Sequence, residues 1–192
     1  MWKELELVLA SGSPRRIEIM HRHELYPRVC PSSAEEKYPD FLTPAETTMY
    51  LAMLKADDVR IEFGSDPTLI VGADTIVTID GRILGKPANS EEAMEMLMRM
   101  SGRRHEVITG VALLSTDRPL TRCFYEVSGV WFRDLPRREM ERYVRTDEPY
   151  DKAGGYAIQG TFSRYTEKIE GSRDNIIGFP WQRFVKELFC LL

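Results

Sequence analysis

The stretch LIVGADTIVTIDG, residues 69–81, decides the fold class of this chain. Leu69 to Ala73 is a continuous apolar run that suits a buried strand, and Thr75 to Ile79 continues it. The pair Asp80 and Gly81 follows directly, and an Asp-Gly pair after a strand is a strong signal for a tight turn. The stretch therefore predicts a buried strand that ends in a hairpin.

Strand and helix signals alternate on both sides of this run. Before it, Leu5 to Ala10 predicts a first strand, a Ser-Pro start predicts a helix from Pro14 to about His23, and a capping-box spacing opens a helix from Thr43 to about Arg60. After it, the patterns predict a helix over 91–100 capped by Ser90 and ended by Gly102, strands over 107–114 and 124–132, a short helix over 136–144, a strand over 168–170 and an amphipathic helix from Pro180. This interleaving, without repeats or a long linker, predicts the α/β class.

Length and composition allow a real core and exclude several classes of protein. With 192 residues, 43% of them hydrophobic, the chain fits one compact domain or a domain with two lobes. A formal charge of −4 argues against a general nucleic-acid binder, and no apolar run approaches the ~20 residues of a membrane span. We expect no targeting segment. The three cysteines are widely separated and have no CxxC pair, which favours reduced thiols in a cytoplasmic protein.

The polar segment, residues 146–160 with the sequence TDEPYDKAGGYAIQG, concentrates acids, a lysine and an amide. We expect it to lie outside the core and to suit a pocket for a charged, hydrogen-bonding small molecule. Gly154 and Gly155 allow positive φ angles and a close approach of backbone to a ligand. The alternative is an ordinary solvated loop with a turn at Glu148 and Pro149.

A second candidate is SGSPRR, residues 11–16, which stands between a predicted strand and a helix start. Free backbone amides and the helix dipole favour an anion at such a position. Arg15 and Arg16 add guanidinium groups, which donate paired hydrogen bonds to phosphate oxygens. The alternative is that Ser13 is simply a helix cap and both arginines are solvated.

A third candidate is Asp74, which follows the most hydrophobic run of the chain. Burying an unpaired carboxylate costs several kcal/mol, so Asp74 needs a metal, a cation or a catalytic role, unless it caps a turn or pairs with an arginine. Glu35 and Glu36 are able to supply a second carboxylate, and for magnesium one or two carboxylates plus substrate phosphates are enough. Taken alone, Lys55 and Lys86 indicate only solvent-facing lysines.

Taken in order, these motifs resemble the Maf family of nucleoside triphosphate pyrophosphatases, once described as septum-formation inhibitors. The matching stretches cover nearly the whole chain: LASGSPRR at 9–16, the acidic pair at 35–36, LKA at 54–56, VGADTIV at 71–77, GKP at 85–87, SGRRHEVITG at 101–110 and the polar segment. The resemblance implies an elongated, two-lobed α/β molecule with a mixed sheet, flanking helices and a central substrate cleft, similar to the inosine triphosphatase fold. It also implies one such domain over residues 1–192.

The resemblance also implies roles for particular residues. Asp74 matches the proton acceptor, and Glu36 and Asp74 match carboxylates around a divalent metal, with Mg²⁺ or Mn²⁺ expected. The implied reaction hydrolyses a nucleoside triphosphate between its α and β phosphates, giving the monophosphate and pyrophosphate. The residues that match phosphate contacts are Ser11, Ser13, Arg15, Arg16, Lys55 and Lys86.

Within the family, DKAGGYAIQG at 151–160 looks like the branch acting on dTTP and UTP. The family's specificity positions hold Arg15, Thr75 and Gln159, and Lys152 is a further expected substrate contact. A glutamine amide both donates and accepts, so it can match the N3 and O4 edge of uracil or thymine, whereas cytosine presents the wrong pattern.

Two alternatives to this enzyme stay open. One is a nucleotide-sensing regulator of cell division that does not turn its ligand over, as the family's older name suggests. The other is a 7-methyl-GTP pyrophosphatase, against which Lys152 and Gln159 argue. For the dTTP/UTP or the 7-methyl-GTP pyrophosphatase we expect a small-molecule nucleotide as partner, with no nucleic acid and no membrane. A homodimer is an expectation from the family resemblance.

Overall fold

The structure is a computed structural model that describes residues 6–64 and 67–190. In chain order its elements are β1 (Glu6–Leu9), α1 (Pro14–Arg22), β2 (Arg28–Val29), α2 (Pro44–Arg60), β3 (Thr68–Ile79), β4 (Arg82–Leu84), α3 (Ser90–Met100), β5 (Arg104–Ser115), β6 (Thr121–Phe132), α4 (Arg137–Tyr143), β7 (Thr166–Glu170), α5 (Arg173–Ile177) and α6 (Trp181–Phe189).

The strands form a mixed sheet in the order β2-β1-β3-β5-β6-β7, with β4 paired to β3 off this path. β1 runs parallel to both β2 and β3. β4 is antiparallel to β3 and β7 is antiparallel to β6. The predicted α/β class with a mixed sheet is thus confirmed.

The chain divides into two compact units. The first unit contains the described residues of Met1–Asp74, Thr109–Glu126 and Gly178–Leu192, and the second contains Thr75–Ile108 and Val127–Ile177. Strands β3, β5 and β6 contribute residues to both units. The prediction of a single domain over 1–192 stays a prediction.

In the first unit, α2 packs tightly on β3. Ala52 and Ala56 of α2 are fully buried in a core that includes Val8 and Ile70. Gly72 lies so close to the helix that a Cβ atom there would stand 2.0 Å from the backbone oxygen of Ala52. Glycine at this position therefore lets the backbones of α2 and β3 approach each other.

In the second unit, aromatic side chains form much of the core. Phe132 contacts the rings of His105 and Tyr156, each at a centroid distance of 4.8 Å. Tyr143 and Phe162 form another ring pair at 4.2 Å. Parts of the polar segment join this core, because Gly154, Gly155, Tyr156 and Ile158 are buried.

Two sequence expectations about the fold are wrong. The polar segment does not lie wholly outside the core, because its glycines and Tyr156 pack inward. Ser90 is not the cap of α3, because the side chain of Asn89 accepts hydrogen bonds from the backbone nitrogens of Glu91 and Glu92.

The other predicted elements are present within a few residues of their expected bounds, and the Asp-Gly hairpin joins β3 to β4. Leu5, the first residue of the predicted first strand, lies outside the described residues. The sequence patterns missed β2 and α5, which have only 2 and 5 residues.

The structure also describes the cysteines and the lengths of the helices. Cys30, Cys123 and Cys190 are free thiols. Among the described residues, every helix is too short or too polar to cross a membrane.

Candidate active site

In the first unit, the loop between β1 and α1 is built around the buried side chain of Arg16. Its Nη1 atom donates to the hydroxyl of Ser11 at 2.8 Å, and its Nε atom donates to the backbone oxygen of Gly178 at 2.9 Å. Burial lowers the pKa of Arg16, and the negative charges of Asp74 and Glu36 oppose this effect. The guanidinium group is therefore fixed in one orientation, and a solvated Arg16 is excluded.

The same loop presents Ser13 and Arg15 at the start of α1. Ser13 occupies the N-cap position, but its side chain makes no capping hydrogen bond within the described part of the chain. The first turn of α1 contains no acidic residue, so the positive end of the helix dipole is not offset there. The loop thus fits the predicted anion site better than the alternative of a simple cap.

Asp74 is only 7% exposed and is held by a lysine. The Lys55 ammonium donates to Oδ1 of Asp74 at 2.7 Å and lies 2.8 Å from Oε1 of Glu36. One cation therefore holds oxygens of both carboxylates that the sequence predicted as metal ligands. Among the ion pairs described, Asp74 pairs with a lysine and not with the arginine that the alternative named.

The packing of α2 on β3 explains this contact. Asp74 stands two residues after Gly72, and Lys55 stands three residues after Ala52, whose backbone the glycine allows to approach. Lys55 has a side chain that is only 12% exposed, and it reaches along the helix to the end of the buried run of β3. Ser11, Arg16, Glu36, Lys55 and Asp74 are called the charged cluster below.

In the second unit, the polar segment is closed into a loop by Glu148. Its carboxylate accepts hydrogen bonds from the Tyr143 hydroxyl at 3.2 Å and from the Thr161 hydroxyl at 2.8 Å. The backbone nitrogen of Thr161 also donates to it, at 3.1 Å. Gly160 leaves room for this carboxylate, because a Cβ atom there would lie 1.8 Å from Oε1. The alternative of an ordinary solvated loop does not account for this closure.

The predicted binding residues of the second unit differ in their exposure. Lys152 donates to the backbone oxygen of Glu148 at 2.7 Å and pairs with Asp151. Gln159 and Lys86 are exposed, and Thr75 is half-buried on β3. The backbone of Gly154 donates to Gly85 at 3.0 Å, which brings the polar segment to the turn that carries Lys86.

A buried pair lies beneath the polar segment. A ring nitrogen of His105, Nε2, lies 2.6 Å from the hydroxyl of Tyr156. Burial, with a smaller contribution from Arg104, lowers the pKa of His105 to about 3. Sequence reasoning missed this pair, and only the presence of His105 inside a matched motif gave any signal for it.

Glu36 and Asp74 suit a hard divalent cation. They offer carboxylate oxygens within 2.8 Å of one nitrogen, which is the set that magnesium takes when phosphates complete its shell. Groups of three or more His, Cys, Asp or Glu side chains able to hold a metal are absent from residues 6–64 and 67–190. Two carboxylates are enough for magnesium when substrate phosphates complete its shell.

Comparison with known proteins gives a consistent result. The family model described as Maf-like protein matches residues 6–190. A dTTP/UTP pyrophosphatase of Bacillus cereus is 43% identical over 183 residues, which are 95% of this chain and 94% of that protein. The same coverage and 44% identity hold for the dTTP/UTP pyrophosphatases of another Bacillus cereus strain and of Bacillus anthracis.

Among solved structures, the Staphylococcus aureus Ham1 protein is similar over 66% of this chain and 71% of its own chain. The TM-score is 0.42 and the sequence identity is 19%, and a likeness at this level supports no conclusion.

Proposed function

The chain belongs to the family of Maf-like proteins, and from this premise we propose that it is a nucleoside triphosphate pyrophosphatase acting on dTTP and UTP. The products are the nucleoside monophosphate and pyrophosphate, and modified uridine triphosphates belong to the same substrate class. Such an enzyme removes unwanted nucleotides from the cellular pool. The observation that carries the proposal is the buried Asp74 carboxylate, which shares the Lys55 ammonium with Glu36.

Asp74 is the proposed proton acceptor. It stands at a fixed point on β3, is nearly buried, and accepts a hydrogen bond from the Lys55 ammonium. A positioned base of this kind contributes about 10²–10⁴ in rate when it takes a proton from attacking water. Glu36 and Asp74 are the proposed residues that would hold Mg²⁺ or Mn²⁺, and the metal would supply charge neutralisation at the phosphates and a lowered pKa for bound water.

The loop between β1 and α1 is the proposed phosphate site. Ser11, Ser13 and Arg15 would donate hydrogen bonds to phosphate oxygens, and the amides at the start of α1 favour the same charge. Arg16 is already fixed by Ser11 and Gly178, so its charge is in place before substrate binds. Lys55 and Lys86 are proposed to add cations along the triphosphate.

The polar segment is the proposed base site. Gln159 would read the N3 and O4 edge of uracil or thymine, where its amide group matches one donor and one acceptor. Arg15 and Thr75 occupy the other specificity positions, and Lys152 is the remaining substrate contact. Glu148 supports this reading because it closes the segment on either side of Gln159.

The cellular setting of the enzyme is also proposed. Three free thiols support a reducing cytoplasm. A homodimer and a link to cell-division arrest rest on the family resemblance alone.

The experiment is a panel of dTTP, UTP, CTP, dCTP, ATP, GTP and 7-methyl-GTP, with pyrophosphate release measured in Mg²⁺ or Mn²⁺. We expect release from dTTP and UTP, and a fall of at least about 10² in turnover for Asp74→Asn. Asp80→Asn, in the exposed turn after the same strand, is the matched control and should behave as the wild type.

Other results would change the proposal. Turnover of Asp74→Asn near the wild-type level would remove the assignment of Asp74 as proton acceptor. Release confined to 7-methyl-GTP would move the chain to the other branch of the family. Nucleotide binding without release from any member of the panel would establish a sensor.

A further inference from the structure

We propose that Asp58 is a positioning residue, which anchors the segment 32–36 on α2 so that Glu36 is held in place for the divalent cation. The inference rests on the proposed function, because Glu36 matters as a ligand only in that reaction. Asp58 itself contacts neither Glu36 nor Asp74 in the hydrogen bonds described, so its effect on the site would pass through the segment.

One carboxylate oxygen of Asp58 accepts hydrogen bonds from all three residues of the stretch 32–34, which precedes Glu36. Oδ2 accepts hydrogen bonds from the Ser32 hydroxyl at 2.7 Å, from the Ser33 backbone nitrogen at 2.8 Å and from the Ala34 backbone nitrogen at 3.2 Å. The Ser32 hydroxyl accepts a further hydrogen bond from Ala34 at 3.1 Å. These hydrogen bonds, above all that from the Ser32 hydroxyl, lower the pKa of Asp58, so the carboxylate is ionised at neutral pH.

Asp58 and Lys55 lie on the same face of α2. They are three residues apart, a spacing that places side chains side by side on a helix surface. Asp58 holds residues 32–34, and Lys55 holds Glu36. Helix α2 therefore binds the segment 32–36 through two neighbouring side chains.

Regular secondary structure does not hold the segment in shape. Residues 30–39 contain neither helix nor strand, and the Glu36 side chain is 57% exposed. The Asp58 carboxylate supplies the hydrogen bonds that a helix or strand would otherwise provide for Ser33 and Ala34. Partners that orient a metal ligand from outside the coordination shell typically change metal affinity 10–100-fold when they are removed.

A purely structural role is the competing explanation, and it makes different predictions. If Asp58 only stabilised the fold, its loss would lower the melting temperature and leave metal affinity unchanged. If it positions Glu36, its loss would weaken metal binding in a protein that is still folded.

The test compares Asp58→Ala, Asp58→Asn and Asp57→Ala. Asp57 is the matched control, because it is the same residue type at the adjacent position and pairs only with Arg60 at 2.8 Å among the ion pairs described. Asparagine keeps an acceptor oxygen at position 58, so it should rescue part of the effect. Binding of Mn²⁺ is measured by calorimetry with α,β-methylene-UTP present, whose central P–C–P bridge is not hydrolysed.

For Asp58→Ala we expect Mn²⁺ affinity to fall about tenfold and amide exchange at Ser33 and Ala34 to accelerate. The Mn²⁺ concentration for half-maximal turnover should rise by the same factor, whereas turnover at saturating Mn²⁺ should stay within about threefold of the wild type. Asp58→Asn should lie between Asp58→Ala and the wild type, and Asp57→Ala should match the wild type.

Wild-type Mn²⁺ affinity in folded Asp58→Ala, or an equal loss in Asp57→Ala, would overturn the positioning role while leaving the pyrophosphatase intact. Wild-type protein that neither binds Mn²⁺ nor releases pyrophosphate would overturn both proposals. If the alanine variant does not fold, a wild-type affinity in Asp58→Asn with accelerated exchange at Ser33 and Ala34 would overturn the positioning role.

Discussion

The charged cluster and the polar segment hold their polar side chains in opposite ways. In the charged cluster Arg16 and Asp74 are buried, and Arg16 contacts Ser11 as Lys55 contacts Asp74. In the polar segment the backbone is buried at Gly154 to Tyr156, whereas Gln159 is exposed. Of the groups proposed to act at the phosphates, Arg16 and Lys55 are thus held by hydrogen bonds within the protein, whereas the side chain proposed to read the base is exposed.

The difference follows from the elements that carry each region. In the charged cluster Arg16, Lys55 and Asp74 stand on α1, α2 and β3, whereas Ser11 and Glu36 lie in loops. The tight approach at Gly72 fixes the distance between Lys55 and Asp74. The polar segment contains only a single turn of 3-10 helix, Ala153–Gly155, and its anchors, Glu148 and Gly154, fix its backbone at points other than Gln159. The proposed catalytic residues are therefore held by contacts within the protein, whereas the proposed recognition residue Gln159 is exposed.

The largest expected effect comes from removing the cation of the charged cluster. Lys55→Met should lower turnover of UTP by about 10², because a positioned charge at a phosphate site typically supplies this much transition-state stabilisation. Steady-state kinetics with UTP measure the change.

Lys37→Met is the control for this substitution. Lys37 pairs with Glu35 at 2.7 Å, but both side chains are largely exposed, and surface ion pairs of this kind contribute little. Turnover of Lys55→Met within threefold of the wild type would mean that the ion pairs of the charged cluster do not contribute to catalysis. The proposed contrast between the charged cluster and the polar segment would then be wrong.

A smaller effect is expected from Gln159→Ala. The ratio of kcat/KM for UTP over CTP should fall about tenfold, which is the value of a hydrogen bond or two at an exposed site. Turnover of UTP at saturation should change little, because the charged cluster is intact. Gln182→Ala, an exposed glutamine on α6, is the matched control.

A fall of 10³ or more in the UTP over CTP ratio of kcat/KM for Gln159→Ala would contradict recognition of the base by an exposed side chain. Rejection on that scale requires a buried donor and acceptor that are left unpaired by the wrong base. Gln159 would then have to become buried when substrate binds.

The sequence predicted most of the elements and the residue types of the site, but not its internal contacts. Apolar periodicity and turn residues are local signals, so β3, its hairpin and the α2 capping box could be read directly. Lys55 and Asp74 are 19 positions apart, and their ion pair depends on how closely α2 packs on β3. No local pattern reports such a distance, and for the same reason Asp58 and its contacts with 32–34 were missed.

The last prediction concerns the buried pair of His105 and Tyr156, whose alteration should leave catalysis unchanged. Folded His105 stays neutral down to about pH 3, whereas in the unfolded chain it takes up a proton below its ordinary pKa of about 6.5. The unfolded state therefore binds more protons between these values, and the free energy of unfolding must fall as the pH falls through that window. Between pH 7 and pH 5 the loss attributable to this group is about 2 kcal/mol.

His105→Gln removes the titration and keeps a hydrogen-bonding partner for Tyr156, so its free energy of unfolding should depend less steeply on pH than that of the wild type. Urea denaturation at pH 7, 6 and 5 measures the slope, with His21→Gln on the exposed face of α1 as the control for replacing a histidine. Turnover of UTP at pH 7.5 should stay within about twofold of the wild type, because the pair of His105 and Tyr156 supports the backbone of the polar segment and not the side chain of Gln159. If the free energy of unfolding depends on pH equally in His105→Gln and the wild type, His105 is not held neutral. The contrast between the buried backbone of the polar segment and the exposed Gln159 would then lose this support.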